Sequence, residues 1–468
     1  MPKLAVALPR NTTSRIGAML AAVSAILIVL LAVLDIGGFA AGLRLRILAY
    51  LILPAALVLG LVLLAIGWWL ERRHQHRTAH RHGSATSLPV IDLNSAATRR
   101  TALLLVLGAC TAAIVLGGSG YQGIKVLESV EFCSQACHLQ MQPEASAHDR
   151  SPHANVACVE CHVGPGFGAW VDSKMNGLQE MFEVATNTYP RPVPTPVHQL
   201  RPARVVCEQC HWPSAFVGDR LVVHTHYSED DANTPKKTVL MLHVGGQEGK
   251  SNSGIHWHVA RGVRIRYQAD RSRESIYTVE LTRPEGEQKV FGTQAVPPVD
   301  AEWRTMDCID CHNRPTHVFR SPAQEVDAAL VDGRIDTSLT FIKREAVRVL
   351  QTQYPSQQQA RTAISRDITA FYRTNYPDLA ASRASAVTEA GTALGDIWCN
   401  NVFPQMKVTW NTYPNHLGHD DQSPGCLRCH DNKHVTTAGE KITRKCELCH
   451  NVVAEDEAAP EALKPFDQ

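Results

Sequence analysis

The chain has no excess of charge of either sign. Among its 468 residues, 46 Lys and Arg stand against 45 Asp and Glu, so the formal net charge is +1. A protein that attracts nucleic acid through its overall field needs a clear basic excess. We therefore expect no nucleic-acid partner.

Long apolar runs are absent after Tyr121, and the rest of the chain is polar and rich in loops. Before that point, three runs have the roughly 20 apolar residues that a membrane-spanning helix needs. These are residues 16–34, 47–70 and 101–121, and they predict three transmembrane helices. The first run could instead be a cleaved signal peptide, but its apolar core is too long and no good small-residue cleavage site follows it.

Lys and Arg are unevenly distributed between the ends of these runs. The N-terminal head and the loop between the second and third runs carry nine of them, against two in the loop between the first and second runs. Segments rich in Lys and Arg stay on the cytoplasmic side of a membrane. We therefore expect a multi-pass protein of the bacterial inner membrane, with a cytoplasmic N-terminus and a large periplasmic domain.

Cysteine and histidine are abundant, with 14 and 22 copies. Five times the sequence reads Cys-x-x-Cys-His, the motif in which two thiols attach one haem covalently and the adjacent His becomes the proximal iron ligand. A sixth site has three residues between its cysteines. In chain order these are motif 1 (Cys133, Cys137, His138), motif 2 (Cys158, Cys161, His162), motif 3 (Cys207, Cys210, His211), motif 4 (Cys308, Cys311, His312), motif 5 (Cys426, Cys429, His430) and motif 6 (Cys446, Cys449, His450).

Paired cysteines also bind zinc or form disulfides. Neither use requires a His directly after the second Cys, which all six sites have. We therefore expect about six covalently attached haems of type c. Of the two remaining cysteines, Cys110 lies in the third apolar run and is interpreted as a small apolar filler. Cys399 is interpreted as an inert thiol, with a seventh haem held by one thioether as the alternative.

A haem iron that only transfers electrons is commonly six-coordinate and needs a second axial ligand. Twelve His outside the motifs follow Tyr121 and could serve, and those nearest a motif are the first candidates. A thioether close behind the first motif is a further candidate. The predicted distal ligands are His153, His198, His317, His419, His434 and, for motif 1, Met141.

The outer domain is expected to fold around its haems. Three motifs fall within residues 133–212, which are too few to build a large apolar core alone. Residues 214–303 carry no motif and alternate in the manner of strands, which predicts a small antiparallel β insertion. The predicted fold class is a membrane-anchored multihaem cytochrome with an α-helical and irregular haem-packed outer domain. Its parts are three transmembrane helices (1–121), a three-haem domain (122–213), the insertion (214–303) and a helical domain with three haem sites (304–468).

Residues 167–189 have apolar side chains at helical spacing, with Trp170 among them. This pattern predicts a helix that lies on the membrane surface. Lys174 falls on the apolar face of that helix. It either extends to a lipid phosphate or a haem propionate, or is a cation at the binding site of a lipid-soluble substrate.

With the motifs placed, the chain resembles the NapC/NirT family of membrane-bound quinol-oxidising cytochromes. The resemblance covers roughly residues 101–458, and its later part is similar to a larger, three-span branch of that family. It rests on three stretches besides motifs 4 to 6, namely Ser151-Pro152-His153 ahead of motif 2, Cys207-Glu208-Gln209-Cys210-His211-Trp212-Pro213, and Tyr413-Pro414-Asn415-His416-Leu417-Gly418-His419.

The resemblance implies a quinol dehydrogenase, with menaquinol as the expected substrate and ubiquinol as the alternative. Family members bind quinol near the first haem, with a Lys and an acidic residue close by. Lys174 matches that Lys, while the acidic partner stays open among Asp172, Glu180 and Glu183. Electrons would pass through the haems to a periplasmic or outer-membrane c-type cytochrome.

Two other functions fit the same motifs. A terminal reductase of a nitrogen or sulfur oxyanion needs an iron with an open position, and the large pool of His argues against it. A non-catalytic electron-conduit subunit of a larger respiratory complex would need no quinol site, and Lys174 on an apolar face argues against that.

Overall fold

The computed structural model of the chain describes residues 11–39, 42–81, 94–136, 138–196, 201–212, 215–245, 254–419 and 423–466. The chain divides into two compact units, Met1–Ala136 and Cys137–Gln468. Each unit is described by itself. The division falls inside motif 1, between its two cysteines.

The first unit contains three helices that are long and apolar enough to cross a membrane. Within the described residues, each predicted apolar run is confirmed as such a helix, and the crossing segments Thr12–Ile36, Leu43–Glu71 and Thr98–Leu127 extend one to six residues beyond the runs. The second crossing segment contains one π-helical turn, at Leu48–Ile52. The helices are α1 (Thr12–Ile36), α2 and α3 (Leu43–Ile47 and Leu53–Arg81, on either side of the π-helical turn) and α4 (Ala96–Leu127).

Helices α1 and α3 pack with their backbones in close contact. A β-carbon at Gly17 would lie 2.6 Å from the backbone nitrogen of Leu64, and one at Gly60 would lie 2.7 Å from that of Ala21. Small residues permit this approach, which is how helices commonly associate in lipid. The Asn11 amide also donates a hydrogen bond of 2.6 Å to the Gly67 carbonyl oxygen.

The second unit begins with helices and continues with two antiparallel sheets. The helices are α5 (His138–Asp149), α6 (Cys158–His162), α7 (Phe167–Thr186) and α8 (Ala203–Cys207). The first sheet has the order β1-β2-β7, from Asp219–Tyr227, Pro235–His243 and His450–Glu457. The second has the order β5-β4-β3-β6, where β3 to β6 are Arg264–Ala269, Ile276–Thr282, Gln288–Gly292 and Glu302–Thr305.

The small antiparallel insertion is therefore confirmed, but it forms two sheets, and one strand comes from the far end of the chain. Strand β7 pairs with β2 in the register Leu240↔Val452 and Leu242↔His450. It begins at the His of motif 6. Its acidic second half gave no alternation that would have predicted a strand.

The segment between motifs 4 and 5 forms a helical bundle with its own apolar core. The aliphatic and aromatic side chains of α12 and α14, among them Ile364, Leu394 and Trp398, are fully buried there. Cys399 belongs to the same core, with its Sγ 3.5 Å from the Gln357 carbonyl oxygen, which supports its interpretation as an inert thiol. The helices are α9 (Cys308–Cys311), α10 (Pro322–Val331), α11 (Ile342–Gln351), α12 (Gln357–Asn375), α13 (Pro377–Ser382) and α14 (Ala384–Asn401).

We predict that Leu394→Ala lowers the free energy of unfolding of this bundle by about 2–5 kcal/mol, because it removes a fully buried side chain and leaves a cavity. Urea unfolding followed by far-UV circular dichroism measures the loss. Val331→Ala, at an exposed position of α10, is the control. Equal loss in both variants would contradict the assignment of this core.

Candidate haem and quinol sites

Each of the five regular motifs forms about one helical turn. Motif 2 is α6, motif 3 begins with the last residue of α8, and motif 4 begins with α9. Motifs 5 and 6 include 3-10 turns. In motifs 3, 4 and 5 the backbone N–H of the His donates to the carbonyl of the first Cys, at 2.8, 2.8 and 3.1 Å. Residues three and four apart lie on one side of such a turn. Both thiols and the imidazole can therefore serve one haem.

The His of every regular motif faces a second His ring. Two imidazoles bound to opposite sides of one metal ion have ring centres about 6.3 Å apart, given metal–nitrogen bonds of about 2.0 Å. The observed distances lie around this value, so the residues fit a haem c with two axial imidazoles. The pairs are His162–His317 at 6.3 Å, His211–His153 at 5.9 Å, His312–His256 at 6.4 Å, His430–His258 at 5.9 Å and His450–His419 at 6.2 Å.

The ring nitrogens of several of these His are also arranged as iron ligands require. An Nδ1–H that donates to a carbonyl fixes the tautomer and leaves Nε2 for the metal. Burial lowers the pKa of His317 to about 4 and also lowers that of His258, so both are neutral at pH 7, as a ligand must be. The Nδ1–carbonyl pairs are His317–Glu144 at 3.1 Å, His256–Val244 at 3.2 Å, His258–Ile255 at 2.7 Å and His430–Thr443 at 2.9 Å.

Three of the predicted distal His belong to these pairs, but none faces the motif beside it in sequence. His153 precedes motif 2 and faces motif 3, His317 follows motif 4 and faces motif 2, and His419 precedes motif 5 and faces motif 6. For His317 the chain length explains this, because the four residues between it and His312 leave little chain to pass around a haem to its opposite side. A neighbouring motif is within its reach instead.

His434 is placed differently. It is fully buried, with Nδ1 3.0 Å from an Asp431 carboxylate oxygen and Nε2 3.2 Å from the Ile276 carbonyl oxygen, so both ring nitrogens are occupied. Met141 lies one helical turn after His138 on α5. His198, Cys137 and the His138 side chain are outside the described residues, and the ligands of motif 1 stay a prediction.

His256 and His258 are the distal candidates that proximity to a motif did not select. Both lie on the 3-10 turn Ile255–Val259, and their rings face motif 4 and motif 5 respectively. The available sequence signal was the His-x-His spacing itself. Two imidazoles on one short turn can reach two adjacent sites.

The five regular motifs lie next to one another in chain order. The thiols of Cys207 and Cys308 are hydrogen-bonded to each other. The pKa of Cys161 is raised by burial and then by Cys207, that of Cys311 is raised to about 11 by burial and then by Cys426, and that of Cys449 is raised by burial and then by Cys426. Thiols influence one another in this way only over short distances. The motifs thus form one continuous series from motif 2 to motif 6.

Motifs 4 and 5 are also joined by hydrogen bonds. Arg428, inside motif 5, donates to the carbonyl oxygen of Asp310, inside motif 4, at 2.6 Å, and to that of Arg273 at 2.7 Å. The Asp310 carboxylate in turn accepts from the Tyr267 hydroxyl at 2.5 Å and from the Asp307 backbone N–H at 2.6 Å. Charge-assisted hydrogen bonds are strong and directional. They fix the two motifs relative to each other.

Lys174 lies on an exposed apolar face of α7. Phe167, Leu178 and Phe182 on this face are 80%, 59% and 68% exposed, and Lys174 is one turn before Leu178. The Lys174 Nζ is 5.4 Å from the centre of the Trp170 ring. This distribution fits a helix with one face in the lipid interface.

The acidic candidates lie off that face, because Asp172 and Glu180 are two and six positions from Lys174 on a helix with about 3.6 residues per turn. Asp172 lies 3.6 Å from Arg201. The pKa of Glu180 is raised by partial desolvation and then by Glu183, although its outer atoms reach solvent. A carboxyl group with a raised pKa is a better proton acceptor.

Comparison with known proteins gives two relatives and one family. Residues 95–194 match the N-terminal region of the NapC/NirT cytochrome c family. The chain is 39% identical over 452 residues to the cytochrome c-type protein ImcH of Geobacter sulfurreducens, covering 95% of this chain and 88% of that one. It is 30% identical over 112 residues to the cytochrome c nitrite reductase subunit NrfH of Nitratidesulfovibrio vulgaris, covering 23% of this chain and 68% of that one. No solved structure matches.

We predict that His256→Ala or His258→Ala converts one haem equivalent from low spin to high spin, because each removes one axial imidazole. Electron paramagnetic resonance of the oxidised protein measures the conversion. His226→Ala, whose ring lies near Asp456 on the first sheet, should leave every haem low-spin. A low-spin spectrum in both test variants would refute the two pairs.

Proposed function

Because the chain belongs to the NapC/NirT cytochrome c family, we propose that it oxidises a quinol, with menaquinol as the expected substrate, and relays the electrons onward. The family carries covalently bound haem c, and the three membrane-capable helices anchor this member in the inner membrane. The relay would use about six haems on the periplasmic face. Its partner would be a periplasmic or outer-membrane c-type cytochrome.

The observation that carries this proposal is that the His of each regular motif faces a second His ring. Bound haem c supplies transfer of one electron at a time without a proton. The His of each regular motif and the imidazole that it faces would hold a haem between them, and such a haem would have no position for an oxyanion. This favours a relay over a terminal reductase.

Quinol oxidation also needs groups that handle protons and charge. A quinol that loses a proton becomes an anion, which the Lys174 ammonium would stabilise from the apolar face of α7. Glu180, with its raised pKa, is the proton acceptor that we assign on this helix, and Asp172 is the alternative. Both protons would leave to the periplasmic side.

A relay of contiguous motifs would serve equally well in a conduit subunit of a larger complex. Such a subunit would receive electrons from a partner and would need no contact with quinol. The exposed apolar face around Lys174 favours the quinol site, because a cation there meets lipid-soluble substrate directly.

We predict that a menaquinol analogue reduces the purified protein under anaerobic conditions, and that Lys174→Ala slows this by roughly tenfold or more, as expected for a lost hydrogen bond to a charged group. Stopped-flow measurement of the haem α-band follows the reaction. Lys464→Ala, in the exposed C-terminal segment, is the control. The proposal fails if quinol leaves the haems oxidised while dithionite reduces them all.

A further inference from the structure

Asp35 lies in the last turn of α1. A helix carries its negative dipole end there, so a carboxylate in that turn is disfavoured. A charged side chain close to the hydrocarbon region of a membrane is costly as well, and usually has a function. The stability of α1 therefore does not explain why an Asp stands at this position.

Two side chains of the second crossing segment hold the Asp35 carboxylate. The Arg46 Nε donates to its Oδ1 at 3.1 Å, and the Tyr50 hydroxyl donates to its Oδ2 at 2.9 Å. Tyr50 is buried, whereas the side chains of Asp35 and Arg46 are 18% and 49% exposed. The carboxylate is thus fixed in direction and still reachable from outside the helices.

The backbone at Tyr50 departs from the α-helix. Tyr50 lies in the π-helical turn Leu48–Ile52, and such turns frequently occur at functional sites. Helix α4 meets this turn closely, because a β-carbon at Gly123 would lie 2.8 Å from the Tyr50 carbonyl oxygen. All three crossing segments therefore meet at Tyr50, whose hydroxyl binds the Asp35 carboxylate.

This cluster lies at the end of the membrane unit that leads into motif 1. Ala49 and Tyr50 pack with Val126, near the end of α4, and with Phe132. Phe132 directly precedes Cys133, the first cysteine of motif 1. A ligand at Asp35 would therefore lie near the first predicted haem attachment in the chain.

We propose that Asp35, Tyr50 and Arg46 form a site for the head group of a membrane-dissolved quinol. The inference deepens the proposed function and rests on it for the direction of electron flow. A quinol hydroxyl donates to the Asp35 carboxylate, and the Arg46 guanidinium donates to a quinone oxygen. The site lies in spans one and two, outside the residues that match the family.

The quinol loses two electrons and two protons and becomes a quinone. Each O–H bond breaks in turn, and each proton passes to the Asp35 carboxylate, which takes the place of Glu180 as the proton acceptor, and from there to water at the membrane surface. The electrons leave one at a time to c-type haem, the oxidant that the proposed function supplies.

The test uses the full haem-loaded chain in detergent and two readouts. Quenching of a fluorescent hydroxyquinoline N-oxide inhibitor measures affinity for the head-group site, and stopped-flow reduction by a menaquinol analogue measures the rate. Asp35→Asn keeps the shape and an acceptor oxygen but cannot take a proton, while Tyr50→Phe removes one donor. Tyr121→Phe, an exposed tyrosine of α4, is the matched control. Haem content and far-UV circular dichroism verify folding.

We expect Asp35→Asn to slow reduction by about tenfold or more, and Tyr50→Phe to weaken inhibitor binding by roughly fivefold, with Tyr121→Phe unchanged. Test variants within about twofold of the wild type in both readouts would overturn the inference, and a slow Lys174→Ala in the same series would then place the quinol site at Lys174 instead.

The failures of the two proposals are distinguishable. In one outcome, the wild type binds the inhibitor, both test variants lose this binding, and quinol reduces none of the proteins. The head-group site then stands, and the quinol-oxidising function fails. If the wild type neither binds the inhibitor nor is reduced, both proposals fail.

Discussion

A haem iron that is to be six-coordinate needs a second axial ligand besides the His of its motif, and the outer unit would depend on supplying that ligand. The proximal His is fixed by its motif, so the second has to come from another part of the chain, as His317 does for motif 2 and His153 for motif 3. Each pair that iron bridges would tie together segments that are separate in sequence. These ties would add to the small apolar cluster that Ala147 and Tyr189 form with later residues, whereas the bundle of α10 to α14 has a larger core of its own.

The centre of the motif series is the part that the protein constrains most tightly. The turn Ile255–Val259 supplies one facing imidazole to motif 4 and another to motif 5. Arg428, inside motif 5, donates to the carbonyl oxygens of Asp310, inside motif 4, and of Arg273. Neither motif can shift without disturbing the other. The spacing of two successive electron carriers would therefore be set by buried hydrogen bonds and not by loops, which keeps the geometry of a relay constant.

The sequence was sufficient for features that depend on local chemistry. The motifs follow from covalent attachment, the three membrane helices from continuous apolar runs, and the amphipathic helix α7 from its periodicity. The facing His pairs could not be assigned, because they depend on which segments meet in three dimensions: His153, His317 and His419 each face a motif other than the one beside them. Strand β7 was missed for the same reason, since it is completed by β2, some two hundred residues earlier in the chain. In the sequence, Asp35 simply follows an apolar run, and only the fold brings Tyr50 and Arg46 beside it.

Quinol oxidation separates protons from electrons, and the positions of the candidate groups follow from that separation. Irons with two imidazoles each would carry electrons only, so the protons have to be taken up by side chains before the relay begins. Those side chains must also be reachable by a substrate that dissolves in lipid. The two residues that we assign to quinol, Lys174 for charge and Asp35 for protons, are both reachable in this way: Lys174 is on an apolar exposed helix face, and Asp35 is at the end of a membrane helix. The buried ionic groups around Asp310, by contrast, lie within the motif series, where a fixed charge can hold haem motifs in place but cannot meet a quinol.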